Sequence, residues 1–255
     1  MINIKNKEEI NILREGGKRH AFILKELANM VKPGISSVDL ENRARELIAE
    51  GGDSSAFLNY KPSGANRPFP AVLCISVNDE VVHGIPNEEE KILKEGDIVS
   101  IDLGLVHKGL ITDAAVTVPV GKISPELTKL LEVTEKALYA GIKTIKDGKK
   151  TGDVGEAISR FAVANNYGLI EELAGHGVGY SVHEDPYVPN YGTKGKGDIL
   201  KTGMVIAIEP MFNLGTKEIE LAEDGYTFKT ADGKPSAHFE HTVVVTKSGV
   251  EILTK

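Results

Sequence analysis

The sequence has a single cysteine, Cys74, and no tryptophan among its 255 residues. One thiol excludes an intrachain disulfide and any cysteine-built zinc finger, and fits a reducing compartment. No apolar run approaches the roughly 20 residues a helix needs to cross a bilayer. The opening Met1-Ile2-Asn3-Ile4-Lys5-Asn6-Lys7-Glu8-Glu9 lacks the apolar core of a secretory signal. Positive charge is also short: 30 Lys and Arg against 37 Asp and Glu leave a net charge of -7, which argues against direct nucleic-acid binding. No Pro-, Ser- or Gly-rich linker divides the chain. The expectation is a cytoplasmic protein off the membrane, one domain over residues 1–255, and monomeric by default.

What the chain does have is a faint duplication. Leu93-Lys94-Glu95-Gly96-Asp97-Ile98-Val99-Ser100-Ile101-Asp102 resembles Leu200-Lys201-Thr202-Gly203-Met204-Val205-Ile206-Ala207-Ile208-Glu209. Upstream, Lys32-Pro33-Gly34 to Asp39 resembles Lys146-Asp147-Gly148 to Asp153, in the same order. Helical spacing runs from Lys7 to Val31. A cap at Ser36 with Asp39 opens a second helix that Gly51-Gly52 ends. Ser124-Pro125 starts a third helix reaching about Ile145, and Asp153 with Glu156 is expected to open a fourth toward Asn165. Short β-branched runs at Ala71–Val77, Ile98–Leu103, Ala114–Val120, Met204–Ile208 and His241–Thr246 read as strands. Each half, about residues 1–120 and 121–255, thus runs helix, helix, then strands. That pattern is α+β, an antiparallel sheet covered by helices.

Carboxylates end or interrupt the apolar strands at Asp102, Asp113, Glu209 and Glu240. A lone carboxylate there reads as a strand cap or a lysine's partner. Four in positions related by the repeat would repel one another in one cleft, and divalent cations resolve that conflict. His176, in Ala174-Gly175-His176-Gly177-Val178-Gly179, is a fifth candidate ligand, and an oxygen-rich set with one imidazole suits Mn, Fe, Co or Zn. His83, before Gly84-Ile85-Pro86, and His183, seven residues after His176, are candidates to donate to a substrate carbonyl.

Together these segments resemble type I methionine aminopeptidases, which have the pita-bread (creatinase/aminopeptidase-like) fold. The matching pieces are Cys74-Ile75-Ser76-Val77-Asn78, His83-Gly84-Ile85-Pro86, Asp102 and Asp113, Gly175-His176-Gly177-Val178-Gly179, His183, Ile208-Glu209-Pro210-Met211 and Glu240-His241-Thr242. The resemblance covers about Lys7 to Thr254 and implies a pseudo-twofold duplicated sheet around two divalent metal ions. It assigns Asp102, Asp113, His176, Glu209 and Glu240 as metal ligands, with Asp113 and Glu240 bridging. His83 and His183 would contact substrate, and Glu240 would also move the proton. Phe69, Cys74, Val182 and Tyr226 fall at positions of the methionine pocket. Many such proteins carry an aromatic residue where Val182 stands and a tryptophan where Tyr226 stands, so the pocket is expected to be reshaped. The implied activity is two-metal-assisted removal of the initiator methionine from nascent chains before a small second residue, with the ribosome as a transient partner. Two alternatives share the fold. An Xaa-Pro aminopeptidase usually carries a further N-terminal domain, and a metal-free binding protein usually loses ligands that are all present here.

Overall fold

A computed structural model describes residues 2–255. Helix α1 (Lys7–Met30) opens on a capping box: the Asn6 side chain accepts from the Glu8 and Glu9 amides, and the Glu9 carboxylate accepts from the Asn6 amide. Helix α2 (Ser37–Glu50) repeats the device with Ser36 and Asp39 and ends at Gly51. The short β1 (Ser54–Ser55), β2 (Cys74–Val77) and β3 (Glu80–Val82) precede a long hairpin of β4 (Ile98–His107) and β5 (Leu110–Pro119). Its Lys108-Gly109 turn has φ of 47° and 82°, the paired positive values that a two-residue hairpin turn needs.

The second half repeats the order with α3 (Pro125–Thr144), capped by Ser124, and α4 (Thr151–Asn165). Helix α4 corrects the sequence expectation, because Asp153 is its third residue and not its cap. The Asp153 carboxylate reaches back to the Lys150 amide at 2.9 Å, so the helix begins two residues earlier, while Glu156 pairs with Arg160 one turn on. There follow β6 (Gly168–Leu169), β7 (Ala174–Gly177), β8 (Glu184–Pro189), β9 (Val205–Ile208), β10 (Met211–Asn213), β11 (Ile219–Leu221), β12 (Phe228–Thr230), β13 (Ser236–His238), β14 (His241–Val245) and β15 (Val250–Ile252).

One sheet has β1-β4-β2 with β5 on β4, and another runs β15-β14-β9-β7-β8. Smaller sheets run β13-β10-β6 and β11-β12-β3, and every pairing among the described residues is antiparallel. Strand β2 is shorter than the apolar run from Ala71. The Val72 and Leu73 amides donate to the buried Glu41 carboxylate of α2, so they do not join a ladder. Helices α1 and α2 pack Leu27, Leu40 and Leu47 on Ile101 and Leu103 of β4. Helices α3 and α4 pack Leu138 and Ile158 around Ile206 and Phe212. Each such buried side chain contributes roughly 2 kcal/mol.

The two main sheets meet at β5 and β14. Ala115 and Glu240 exchange backbone hydrogen bonds, and Thr242 Oγ1 accepts from the Asp113 amide at 2.8 Å while donating to its carbonyl at 2.7 Å. No helix among the described residues is long and apolar enough to cross a membrane.

Candidate metal centre and active site

The hairpin register explains why two aspartates eleven residues apart meet. Asp102 faces Ala115 and Gly104 faces Asp113, so the aspartates are diagonal neighbours on one face of β4 and β5, about 7 Å apart at the backbone. Neither ends its strand, as the apolar runs suggested. Both strands continue past them as ten-residue elements, and the carboxylates lie within the sheet. Gly104 makes room beside them: a Cβ there would approach the Phe57 ring to 2.6 Å. In the other sheet His241 pairs with Ile208, which sets Glu209 and Glu240 just beyond the same end of β9 and β14.

His176 enters from β7, between β8 and β9. The glycines on either side of it are a packing requirement. A Cβ at Gly175 would lie 2.3 Å from the Ala207 carbonyl oxygen, and one at Gly177 would lie 2.1 Å from that of Asp185. His176 Nδ1 is 2.9 Å from the Gly177 carbonyl, which leaves Nε2 toward the acids, 3.5 Å from Glu209 Oε1. Ligand-capable atoms of Asp113, His176 and Glu240 all lie within 4.8 Å of one another.

These acids are poorly satisfied. Asp102 Oδ1, Asp113 Oδ1 and Glu240 Oε1 are buried without a hydrogen-bond donor. Burial raises Asp102 to about 7. Burial first, and the neighbouring carboxylates second, push Asp113, Glu209 and Glu240 well above the usual range. Burial holds His176 down at about 3, so its imidazole stays neutral with a lone pair to offer. Buried acceptors without donors, mutually repelling and next to a neutral imidazole, are the donor set a divalent cation fits.

The sequence profile of metallopeptidase family M24 matches residues 11–247. The chain belongs to metallopeptidase family M24. It is 48% identical over 256 residues to the methionine aminopeptidase of Aquifex aeolicus (strain VF5), covering 100% of this chain and 99% of that one. It is 43% identical to methionine aminopeptidase 1 of Bacillus subtilis (strain 168), covering 100% of both. The crystal structure of methionine aminopeptidase from Thermotoga maritima superposes with a TM-score of 0.95 at 43% identity over the whole of both chains. The Xaa-Pro dipeptidase of Bacillus anthracis, at 22% identity and a TM-score of 0.75, shares the fold over 99% of this chain and 62% of its own length. The fold is therefore the M24 pita-bread fold.

All the residues singled out from the sequence line one M24 cavity of about 180 Å³: the five metal-ligand candidates, His83, His183, Phe69, Cys74, Val182 and Tyr226. Cys74 pairs with Asp102 across β2 and β4, and burial raises its thiol well above the ordinary range, so it is an apolar wall and not a nucleophile. Phe69 meets Tyr226 edge-on at 5.2 Å. His83 has a φ of 60°, a left-handed backbone that an ordinary side chain adopts only under constraint, and burial lowers it to about 4. His183 stacks edge-on against His176 at 4.5 Å, and burial lowers it too.

Among the cavity residues that escaped the sequence reading, Tyr60 and His238 carry polar groups. Tyr60 Oη lies 2.9 Å from His183 Nδ1, a contact between residues 123 apart that no local pattern announces. His238 is buried with neither ring nitrogen hydrogen-bonded, its Nε2 3.8 Å from Glu209 and 4.0 Å from Glu240. Its place two residues before Glu240 near a strand end was the available signal.

Proposed function

We propose that this M24 metallopeptidase removes the initiator methionine from nascent proteins with a small second residue. The observation that carries the reading is the convergence of three buried, under-satisfied carboxylates (Asp102, Asp113 and Glu240), the largely shielded Glu209 and a neutral imidazole on the wall of an apolar cavity. Asp102, Asp113, His176, Glu209 and Glu240 would hold two divalent ions (Mn, Fe, Co or Zn). Bound there, such ions supply an activated water and polarise the scissile carbonyl.

The chain's own groups would do the rest. Glu240 accepts the proton of the attacking water and returns it to the leaving amine. His183, neutral because it is buried, donates from Nε2 to the carbonyl oxygen as charge develops there, and His83 supports the same oxygen. Phe69, Cys74, Val182 and Tyr226 enclose the methionine side chain. The cytoplasm, a monomeric state and a transient contact with the ribosome belong to the same proposal.

The test strips the protein of metal, adds back Mn, Co or Fe(II), and follows the first residue released from Met-Ala-Ser, Met-Lys-Ser and Ala-Pro-Ser peptides. Metal-dependent cleavage of Met-Ala-Ser alone is expected. Preference for Ala-Pro-Ser would move the chain to Xaa-Pro specificity, and no cleavage by folded, metal-loaded protein would refute the peptidase reading.

A further inference from the structure

One wall of the apolar cavity is a loop tied down by an arginine that has no part in the proposed chemistry. Between Tyr60 and Phe69 the chain closes like a narrow hairpin. The Phe69 amide donates to the Tyr60 carbonyl at 2.8 Å, and the Asn59 amide donates to the Phe69 carbonyl at 2.9 Å. Tyr60, Phe69 and Pro62 on the excursion between them all line the cavity. Within the excursion the Ala65 amide donates to the Pro62 carbonyl at 3.1 Å, a single turn bond beside an exposed Gly64 (φ 89°), which is a slight hold against solvent for a segment that walls a cavity.

Arg67 supplies the tie. Its guanidinium donates to both oxygens of Glu88, at 2.6 Å from Nη2 to Oε2, and Nη2 also donates to the Asp224 carbonyl at 3.0 Å. In the reverse direction the Tyr226 hydroxyl donates to the Arg67 carbonyl. The Tyr226 ring lies 5.9 Å from the guanidinium carbon and edge-on to Phe69. Asp224 is held in turn, since its carboxylate accepts from the Tyr226 and Thr227 amides at 2.8 Å. Three segments far apart in sequence therefore meet at one guanidinium, and two of them present aromatic walls to the cavity. A forked arginine contact suits this role because two parallel bonds fix an angle as well as a distance.

We propose that Arg67, with Glu88 and the Asp224 carbonyl, is a latch that sets the width of the side-chain pocket and so determines which N-terminal residue is accepted. Latched, the Phe69–Tyr226 wall fits a narrow, unbranched apolar side chain. Released, the wall yields to a larger aromatic one. Arg67 and Glu88 are positioning residues, since neither touches the cavity. The inference rests on the pocket taking the methionine side chain, as proposed above.

The test compares metal-loaded wild type with Arg67→Ala, Glu88→Gln and the double variant, on Met-Ala-Ser and Phe-Ala-Ser. Both partners are partly exposed, their side chains 39% and 37% accessible, so the tie is weak and about a fivefold loss of Met-over-Phe selectivity in kcat/KM is expected. The loss should come mainly from a raised KM for Met-Ala-Ser. Arg67→Ala loses both the Glu88 fork and the Asp224 carbonyl bond and should show the full effect, Glu88→Gln a smaller one, and the double variant no more than Arg67→Ala, because Glu88 acts only through the arginine. Amide deuterium exchange should quicken over residues 61–68 in all three and stay unchanged in β5, which carries Asp113. Selectivity within twofold of wild type in both singles, or additive effects in the double, would overturn the latch. If wild type cleaves no peptide under any metal, the methionine reading fails on its own, and unchanged exchange over 61–68 in the variants would still refute the latch.

Discussion

The Tyr60 hydroxyl, 2.9 Å from His183 Nδ1, bears on which nitrogen of that ring carries the proton. Burial raises the Tyr60 pKa, so its hydroxyl keeps its proton, and burial lowers that of His183, so the ring is neutral. A neutral imidazole carries one proton. If the Tyr60 hydroxyl donates across 2.9 Å to Nδ1, that proton must sit on Nε2, the nitrogen left to donate to a carbonyl. Tyr60→Phe removes the donor and frees the other tautomer, so kcat on Met-Ala-Ser should fall about tenfold while metal affinity, measured by calorimetry, holds. Glu240→Gln should cut kcat about a hundredfold or more at full metal occupancy if Glu240 moves the proton. Retained turnover in that variant would remove the shuttle. The carboxylates could be read from the sequence because a charge inside an apolar run is anomalous wherever it occurs. Tyr60 could not, because aromatic residues near glycine and proline are common and its partner lies 123 positions away.

At the level of elements, the N-terminal segment acts as a strut. Lys5 Nζ lies 2.6 Å from Glu184 Oε2 with both side chains nearly sealed from solvent, and Asn3 donates to the same oxygen at 2.6 Å. The other oxygen of Glu184 accepts from the Tyr180 and Ser181 amides. The turn that delivers Val182 and His183 is thereby anchored to residues before α1. Replacing Lys5 with Met leaves a buried carboxylate without its counter-charge, and about 3 kcal/mol of stability should be lost in urea unfolding. A loss under about 1 kcal/mol would mean the pair is hydrated in solution. Helices α1, α2 and α3 were legible because their signals are local: apolar spacing along α1, and caps closed within four residues at α2 and α3. The start of α4, the short β2 and this strut were not. The last two depend on a partner outside their own segment, Glu41 claiming the Val72 and Leu73 amides and Glu184 reaching the N-terminal segment, whereas α4 begins early because Lys150 at its cap makes no side-chain cap bond and only the Asp153 carboxylate reaching back closes the turn.

For the whole molecule, two sets of buried groups pull stability in opposite directions with pH. Asp102 at about 7, and Asp113, Glu209 and Glu240 well above their ordinary values, hold protons when folded that the unfolded chain has released. Rising pH therefore favours unfolding, from the unfolded carboxylate values upward and through 7. The histidines work the other way. His20, His176 and His238 are held at about 3, and His83 and His241 at about 4, against an ordinary value of 6.5. Below 6.5 the unfolded chain gains protons that the folded one refuses, so stability contributed by their neutrality is lost as pH falls. Metal-free protein should then show a broad stability maximum between about pH 4.5 and 6.5, falling on both sides. Divalent metal holds the four carboxylates ionised, so the metal-loaded protein should lose the alkaline decline and keep the acid one. Loading at pH 7 should release protons, seen as a dependence of the binding heat on buffer ionisation enthalpy. Melting curves from about pH 4 to 8.5, with and without Mn, separate the two limbs. A metal-free melting temperature that stays level from pH 6.5 upward would mean that the four carboxylates do not share one desolvated site, and the metal centre would have to be redrawn.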